Sequence, residues 1–475
     1  RAAKPLHSPA TPGMFRKSDT HIHFVGIGGI GMSGIAEVLL NLGYRVTGTD
    51  LADSETTRRL VDLGAVIHRG HDAAHLGDAD VVVVSSAVKP DNPEVAVARA
   101  RKIPVIPRAE MLAELMRLKQ GVVIAGSHGK TTTTSLVATA LHAGGLDPTV
   151  VIGGKLNALG SNARLGSSDI LVAEADESDG SFLMLTPTVA VVTNIDDEHM
   201  DHYGSMARLQ DAFAGFANRV PFYGLAVVCL DDPNAAAILP RVTKRVVTYG
   251  FDRAADYVAV DVRHEGPVTH FRAVAHGRDL GAFTLHMPGV HNVLNALATI
   301  AVCEYHGLAT AVVSAALSGF TGVQRRFTVR GSAGGVMVVD DYGHHPTEVK
   351  ATLAGARIGY PDRRLVAVFQ AHRYTRVRAH LEGFAASLDA ADLVVLTDIY
   401  PAGEAPIPGA TVERLEQALR ARRPDRPVEL HRPVAGLAEH LAHGACPGDL
   451  IITLGAGNIT HVSRELAALL ASRPA

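Results

Sequence analysis

Lys130 and Thr131 follow a glycine turn in the stretch GSHGKTTTT, residues 126–134. A lysine and a hydroxyl placed there, between an apolar strand and a helix, are the parts of a phosphate cradle. Backbone N–H groups face the phosphates, the lysine reaches the β- and γ-phosphates, and the hydroxyl binds Mg²⁺. The full G-x-x-x-x-G-K-[ST] pattern is broken, because Ile124 stands where its first glycine belongs. A glycine turn leading into a capped helix is the plainer alternative, but it gives Lys130 no purpose. Four successive threonines are a poor helix start unless capping and hydroxyl contacts matter. ATP binding is the better reading.

A second glycine loop lies about a hundred residues earlier. Gly26, Gly28 and Gly31 fit G-x-G-x-x-G directly after a strand and at the start of a helix. That placement turns N–H groups and a helix N-terminus toward a pyrophosphate. Asp50 ends the next strand, about where an acid would meet a ribose hydroxyl. A dinucleotide or a nucleotide-sugar diphosphate satisfies such a loop equally well, and a tight turn with no ligand remains the bland alternative.

Past the lysine, AEADESDGSF gathers Glu174, Asp176, Glu177 and Asp179 at a strand end. Carboxylates so close repel one another unless cations are present, and a second Mg²⁺ would relieve the repulsion and clamp a transferring phosphate. His199, in NIDDEHMDHY, stands at the same edge, either beside a metal or as a hydrogen-bonded structural residue. In PGVHNVLNALA, one helical turn carries His291, Asn292 and Asn295. They either face adenine or cap the helix and make a buried polar contact. Farther on, DDYGHHPTE and HRYTR follow strands. Arg373 and Arg376 share a helical face, and arginine forks suit a carboxylate or phosphate. His344 and His345 sit in a position to orient an amine or its acceptor, although a solvated loop is the ordinary fate of such residues.

The elements needed to position these groups are α/β throughout. From His21 onward short apolar runs alternate with longer amphipathic ones, the rhythm of β-α-β units. The expected divisions are a disordered extension over residues 1–19 and three α/β domains over 20–120, 121–324 and 325–475. YVAVDVRHEGPVTHFRAVAHG alternates as an antiparallel hairpin should. A chain of 475 residues is too long for a single core. Its net charge of −3 makes no electrostatic case for nucleic acid. Three cysteines without CxxC spacing indicate neither a disulfide framework nor a cysteine zinc site, and a reduced cytoplasmic compartment is the default. No apolar run reaches the roughly 20 residues of a membrane span.

Taken in order, HFVGIGGIGMSGIAEVL, GSHGKTTTT, EADESDGSF, TNIDDEHMDHY, GVHNVLNALA, RRF, DDYGHHPTE, HRYTR and GAGNI resemble the Mur ligases over nearly the whole chain. The resemblance implies an N-terminal Rossmann-like domain for a UDP-sugar, a central P-loop ATPase domain with a mixed sheet, and a C-terminal Rossmann-like domain for an amino acid. It also implies the reaction, ATP-dependent joining of L-alanine to the lactyl carboxylate of UDP-N-acetylmuramate, in a monomer or homodimer with Mg²⁺.

The resemblance further assigns residues. Gly26, Gly28, Gly29, Gly31, Asp50, His71, Ser86 and Arg108 would hold the UDP-sugar. Gly126, Ser127, His128, Gly129, Lys130, Thr131, Thr132, His291, Asn292, Asn295, Arg326 and Asp341 would hold ATP. Thr131, Glu174 and His199 would hold metal, while Tyr342, His344 and Arg376 would receive alanine, with Arg373 nearby. Lys130, Glu174, His199, His344 and Arg373 would be catalytic. Sister ligases use a carbamylated lysine near the second metal, but no lysine occurs here between Lys155 and Lys244. Two rivals of other classes are an NAD-dependent oxidoreductase, which leaves Lys130 and the acids idle, and a nucleotide-hydrolysing regulator, which needs no DDYGHHP or HRYTR cluster.

Overall fold

The computed structural model describes residues 20–85, 87–89, 91–117, 119–152 and 163–472. The expected disordered extension and the candidate Ser86 lie outside the described residues. The chain gathers into two compact units. One runs through Tyr249 and adds Ala298–Val313; the other comprises Gly250–Leu297 and Ser314–Ala475.

In the first unit, strands β1 (His21–Val25), β2 (Arg45–Asp50), β3 (Val66–Arg69), β4 (Val81–Val84) and β5 (Val105–Pro107) form a sheet in the order β3-β2-β1-β4-β5. Every pairing is parallel. The order reverses between β1 and β4, and in open α/β sheets that reversal opens a crevice at the strand carboxyl ends. The G-x-G-x-x-G loop leaves β1 at that point.

A second sheet of the same unit contains β6 (Gln120–Ala125), β7 (Thr149–Val151), β8 (Ala163–Arg164), β9 (Ile170–Glu174), β10 (Val189–Val192), β11 (Leu225–Cys229) and β12 (Val246–Gly250), in the order β12-β11-β10-β6-β9-β7-β8. It is mixed, because β8 runs antiparallel to β7. The central strands are continuous apolar runs, VVIA and VAVV, buried along their whole length, as a sheet covered on both faces requires. Parallel β10, β6 and β9 are neighbours, with Val192 opposite Ala125 and Ile124 opposite Glu174. The loops that follow these three strands therefore leave the same edge side by side.

One continuous hydrophobic core joins both sheets. Ile22, Phe24, Met111 and Leu112 pack in the same cluster as Val123, Phe182, Leu185 and Phe213. This shared core is why the first sequence block and the second as far as Tyr249 fall into one compact unit.

In the second unit, β13 (Tyr257–Glu265), β14 (Val268–Ala275) and β15 (Arg278–Leu285) form an antiparallel meander whose first turn is the expected hairpin. Strands β16 (Thr328–Ala333), β17 (Val336–Asp341), β18 (Arg364–Phe369), β19 (Leu393–Leu396), β20 (Val428–Leu430) and β21 (Asp449–Leu454) follow in the order β16-β17-β21-β18-β19-β20. Only β16 is antiparallel. Asp341 and Phe369 both register with Leu454, so the loops carrying Tyr342–His345 and Gln370–Arg373 flank Gly455. Among the described residues no helix is long and apolar enough to cross a membrane.

Candidate active site

The turn after β6 is built around two glycines in positive-φ backbone. Gly126 has φ +138°, and a Cβ there would collide with Thr193 Oγ1 and press on the backbone of Asn194. Gly129, at φ 80°, caps the helix Lys130–Ala143 in the left-handed region that only glycine adopts freely. The threonine run is compatible with that helix because its hydroxyls bond back along it, Thr134 Oγ1 to the Lys130 carbonyl at 2.8 Å and Ser135 Oγ to that of Thr131 at 2.7 Å.

The segment after β10 locks this turn. Ser127 N donates to the Asn194 carbonyl at 3.0 Å, and His128 N donates to Asn194 Oδ1 at 2.8 Å. Thr193 Oγ1 and Asn194 Nδ2 both donate to the His128 carbonyl. The His128 ring lies 2.7 Å from Asp196 Oδ2, and Asp196 N donates to Ser127 Oγ at 2.8 Å. Ser127 and His128, expected at ATP, thus have a definite second task in shaping the loop.

Lys130 Nζ donates to the carbonyls of Gly126 (2.5 Å) and Ser127 (3.1 Å) and to Glu177 Oε1 at 2.7 Å. Burial works against its charge, yet Glu177, Glu174 and Glu198 outweigh burial and raise its pKa. Burial also raises Glu177, to about 7, against the pull of Lys130. Tyr203 Oη donates to the Glu177 carbonyl at 2.5 Å and fixes the loop beneath it.

Thr131 Oγ1 lies 3.0 and 3.1 Å from the two oxygens of Glu174. Thr132 is buried beside it. His199 holds φ 58°, unusual for a residue with a side chain, and its ring nitrogen comes within 3.9 Å of Glu177. Donor atoms of Glu177, Glu198 and His199 all lie within 4.8 Å of one another. Among the described residues, buried Glu177 Oε2 has no hydrogen-bond partner. Hard oxygen donors with one buried oxygen to spare fit a Mg²⁺ ion. Reading by motif did not name Glu198, and it named Glu177 only as one of four clustered acids without assigning it to a metal. The acid cluster was visible in EADESDGSF, but which of its carboxylates turned inward was not.

At the first loop, Gly28 N donates to Asp50 Oδ2 at 2.8 Å, and Asp50 Oδ1 accepts from Ala52 N at 3.1 Å. Asp50 therefore braces the loop itself. A Cβ on Gly28 would come within 2.8 Å of that carboxylate. The backbone N–H groups of Gly26 and Ile27 are tied to the Thr49 carbonyl. Gly29, in extended backbone, caps the helix Ile30–Asn41. Near Gly31 lies the Arg108 guanidinium, which also bonds Asp176 at 3.0 Å. His71 Nδ1 shares hydrogen bonds with buried Glu94 and with Thr49, both 3.1 Å.

The second unit holds the remaining candidates. Asn292 Nδ2 donates to the Pro288 carbonyl at 2.8 Å and Asn292 Oδ1 accepts from Asn295 Nδ2 at 3.4 Å, the buried polar contact that was one of two readings. Burial, with Arg326 second, lowers the His291 pKa to about 4. Asp341 accepts from the backbone of Phe327 and Gly343, each at 2.8 Å, and from Thr352 at 3.2 Å.

Tyr342 is covered by Arg325 and Arg326, 4.7 and 5.2 Å from its ring centre. His344 is held by Glu348 and lies 5.7 Å, ring to ring, from His372. His372 in turn stacks on Tyr400 at 5.5 Å and lies 3.4 Å from Arg376. Burial first, then His344, Arg376 and Arg373, push the His372 pKa down to about 3, so this ring is neutral. Arg373 takes φ 69° at the start of its helix. The rings of His372 and Tyr400 are a further part of this cluster that spacing alone did not single out.

Family models match three stretches: "Mur ligase family, catalytic domain" over residues 21–120, "Mur ligase middle domain" over 124–303, and "Mur ligase, glutamate ligase domain" over 325–457. The chain is 58% identical to UDP-N-acetylmuramate–L-alanine ligase of Myxococcus xanthus, covering 98% of each chain. It is 58% identical to the same enzyme of a Geobacter species, over 94% of this chain and 96% of that one. Among solved structures, UDP-N-acetylmuramate-alanine ligase of Thermotoga maritima superposes with a TM-score of 0.81 at 30% identity, covering 95% of this chain and 99% of that one. A murein peptide ligase of Psychrobacter arcticus gives 0.70 at 25% identity. On these matches the chain belongs to the Mur ligase family.

Proposed function

We propose that this chain joins L-alanine to the lactyl carboxylate of UDP-N-acetylmuramate, using ATP and giving ADP and phosphate, in the synthesis of peptidoglycan precursors. The observation that carries the reading is the constellation Lys130–Glu177 with Thr131–Glu174, set on loops leaving neighbouring strands. It stands in a chain 58% identical over nearly its full length to such a ligase. Each of the three stretches 20–120, 121–324 and 325–475 takes one substrate: UDP-sugar, ATP and amino acid. The compartment is the cytoplasm, where ATP is available.

A carboxylate is a poor acyl donor, and transfer of the γ-phosphate turns one of its oxygens into a leaving group. The lactyl carboxylate attacks the γ-phosphorus and ADP departs. The free amine of alanine then attacks the acyl carbon, and the tetrahedral adduct releases phosphate and leaves the amide. Little covalent chemistry falls to the protein, so catalysis is mostly positioning and neutralisation of charge.

Lys130 neutralises charge on the β- and γ-phosphates, and the rigid turn of Gly126–Gly129 orients them. Thr131, Glu174, Glu177, Glu198 and His199 form the set that would hold Mg²⁺, which supplies further charge neutralisation when bound. Arg376 takes the carboxylate of alanine, with neutral His372 and Tyr400 as a wall beside it, while Tyr342 and His344 face the amine. A coupled ADP-release assay tests the reading. Sustained ADP release should require ATP, UDP-N-acetylmuramate and alanine together, with the sugar alone supporting no more than the first, acyl-phosphate-forming step. Turnover with ATP alone at the same rate would make the chain a bare ATPase.

A further inference from the structure

Arg108 touches both the first glycine loop and the acidic loop that follows β9. It opens the helix Arg108–Met116. Its Cδ and Nη1 lie 3.0 Å from where a Cβ on Gly31 would stand, in the first turn of the helix that leaves the UDP-sugar loop. Its Nη2 donates to Asp176 Oδ2 at 3.0 Å, with the two side chains 22% and 45% exposed. Asp176 is itself fixed, because its Oδ1 accepts from Ser178 N at 3.1 Å and Ser178 Oγ at 2.6 Å. The loop that holds Asp176 carries Glu174 two residues before it and Glu177 directly after it. Those are the partners of Thr131 and Lys130.

One guanidinium thus stands between an anion-binding helix end and the carboxylates of the phosphate-transfer site. A diphosphate at the first loop competes with Asp176 for it, because phosphate and carboxylate present the same paired oxygens to an arginine fork.

We propose that Asp176 is a positioning residue that restrains Arg108 and couples the two substrate loops. Binding of the UDP-sugar draws Arg108 to the diphosphate and frees Asp176. The freed carboxylate joins the cation-seeking group beside Lys130 and favours magnesium nucleotide. Linkage makes the effect reciprocal: nucleotide tightens UDP-sugar binding by the same factor. This rests on the reading that the G-x-G-x-x-G loop holds the UDP-sugar.

Titration calorimetry of the full chain with UDP-N-acetylmuramate, with and without a non-hydrolysable magnesium ATP analogue, tests the coupling. The unaltered protein should bind the sugar about fivefold or more tighter when nucleotide is present. Asp176→Asn should bind the sugar several-fold tighter than the unaltered protein without nucleotide, and nucleotide should then add less than about twofold. Asp176→Glu, which keeps the charge, should restore the dependence on nucleotide. An Asp176→Asn variant that keeps the full nucleotide effect overturns the proposal, as does an unaltered protein with no nucleotide effect. Gly28→Ala separates the two layers of the argument, since its methyl group would meet Asp50. Unchanged sugar affinity in that variant removes the loop reading and the proposal with it. Lost affinity together with unaffected coupling in Asp176→Asn removes the coupling alone.

Discussion

Lys130 and Glu177 form an ion pair 2.7 Å long, with side chains only 17% and 3% exposed, at the mouth of the turn that follows β6. Removing one partner of a buried pair leaves the other charge uncompensated, at a cost of about 3–5 kcal/mol. Here the cost is moderated on one side, because burial already places the Glu177 pKa at about 7 and the acid takes up a proton when its lysine is lost. We therefore expect Lys130→Ala to stay folded and to lose turnover by about a thousandfold, at the upper end for removal of one preorganised electrostatic contact. Circular dichroism and ADP release on the same preparation check this. A folded variant with near-normal turnover contradicts the role given to Lys130.

Gly126→Ala should be more damaging than its size implies. The residue holds φ +138° and has Thr193 Oγ1 where a Cβ would go. Backbone strain of this kind costs about 1–3 kcal/mol, and relief of the clash displaces the Thr193–Asn194 lock on His128. A urea-denaturation midpoint and an ATP KM, both shifted unfavourably, are expected. Loss of stability without any change in the ATP KM would separate the lock from nucleotide binding.

Arg376→Ala should raise the KM for alanine about ten- to a hundredfold, as expected when a charged hydrogen-bond donor to a carboxylate is lost. The KM for ATP should move little. Steady-state kinetics with each substrate varied in turn distinguishes this from a general loss of structure, which would alter both.

His291 gives a pH dependence whose sign is fixed. Its folded pKa is about 4, lowered first by burial from 6.5. Below pH 6.5 the unfolded chain takes up a proton that the folded chain refuses until about pH 4. Its contribution to stability is thus fully present above pH 6.5 and declines as the pH falls through that window, by on the order of 1 kcal/mol per pH unit. The difference in unfolding free energy between the protein and His291→Gln, measured by urea denaturation from pH 7 to pH 4, should shrink or reverse accordingly. A difference that is flat across the window contradicts the assignment.

Much of the fold was legible because its signals are local. The apolar strands VVIA and VAVV, the glycine turns and the alternating hairpin at Tyr257–Ala275 each carry their structure in a few residues. What was not legible depends on register. Glu174 and Glu177 lie three residues apart in one acidic run, and only the pairing of β9 with β6 places one on Thr131 and the other on Lys130. Asp50, expected at a ribose, also braces Gly28 N, a contact formed across two strands. Ser127 and His128 looked like ligand contacts from the loop alone, and their partners Asn194 and Asp196 come from a distant segment. His372 and Tyr400 meet because they follow the paired strands β18 and β19 and continue that pairing as a parallel bridge, which no periodicity reports.

In the proposed reaction the Lys130 loop presents a γ-phosphate to the carboxylate of the sugar, so that one carboxylate oxygen leaves with phosphate. UDP-N-acetylmuramate labelled with ¹⁸O in both lactyl carboxylate oxygens, turned over with ATP and alanine, tests this directly. Mass spectrometry should find one ¹⁸O atom in each phosphate released and one retained in the amide product. Unlabelled phosphate, with both heavy oxygens accounted for elsewhere, would contradict the mechanism.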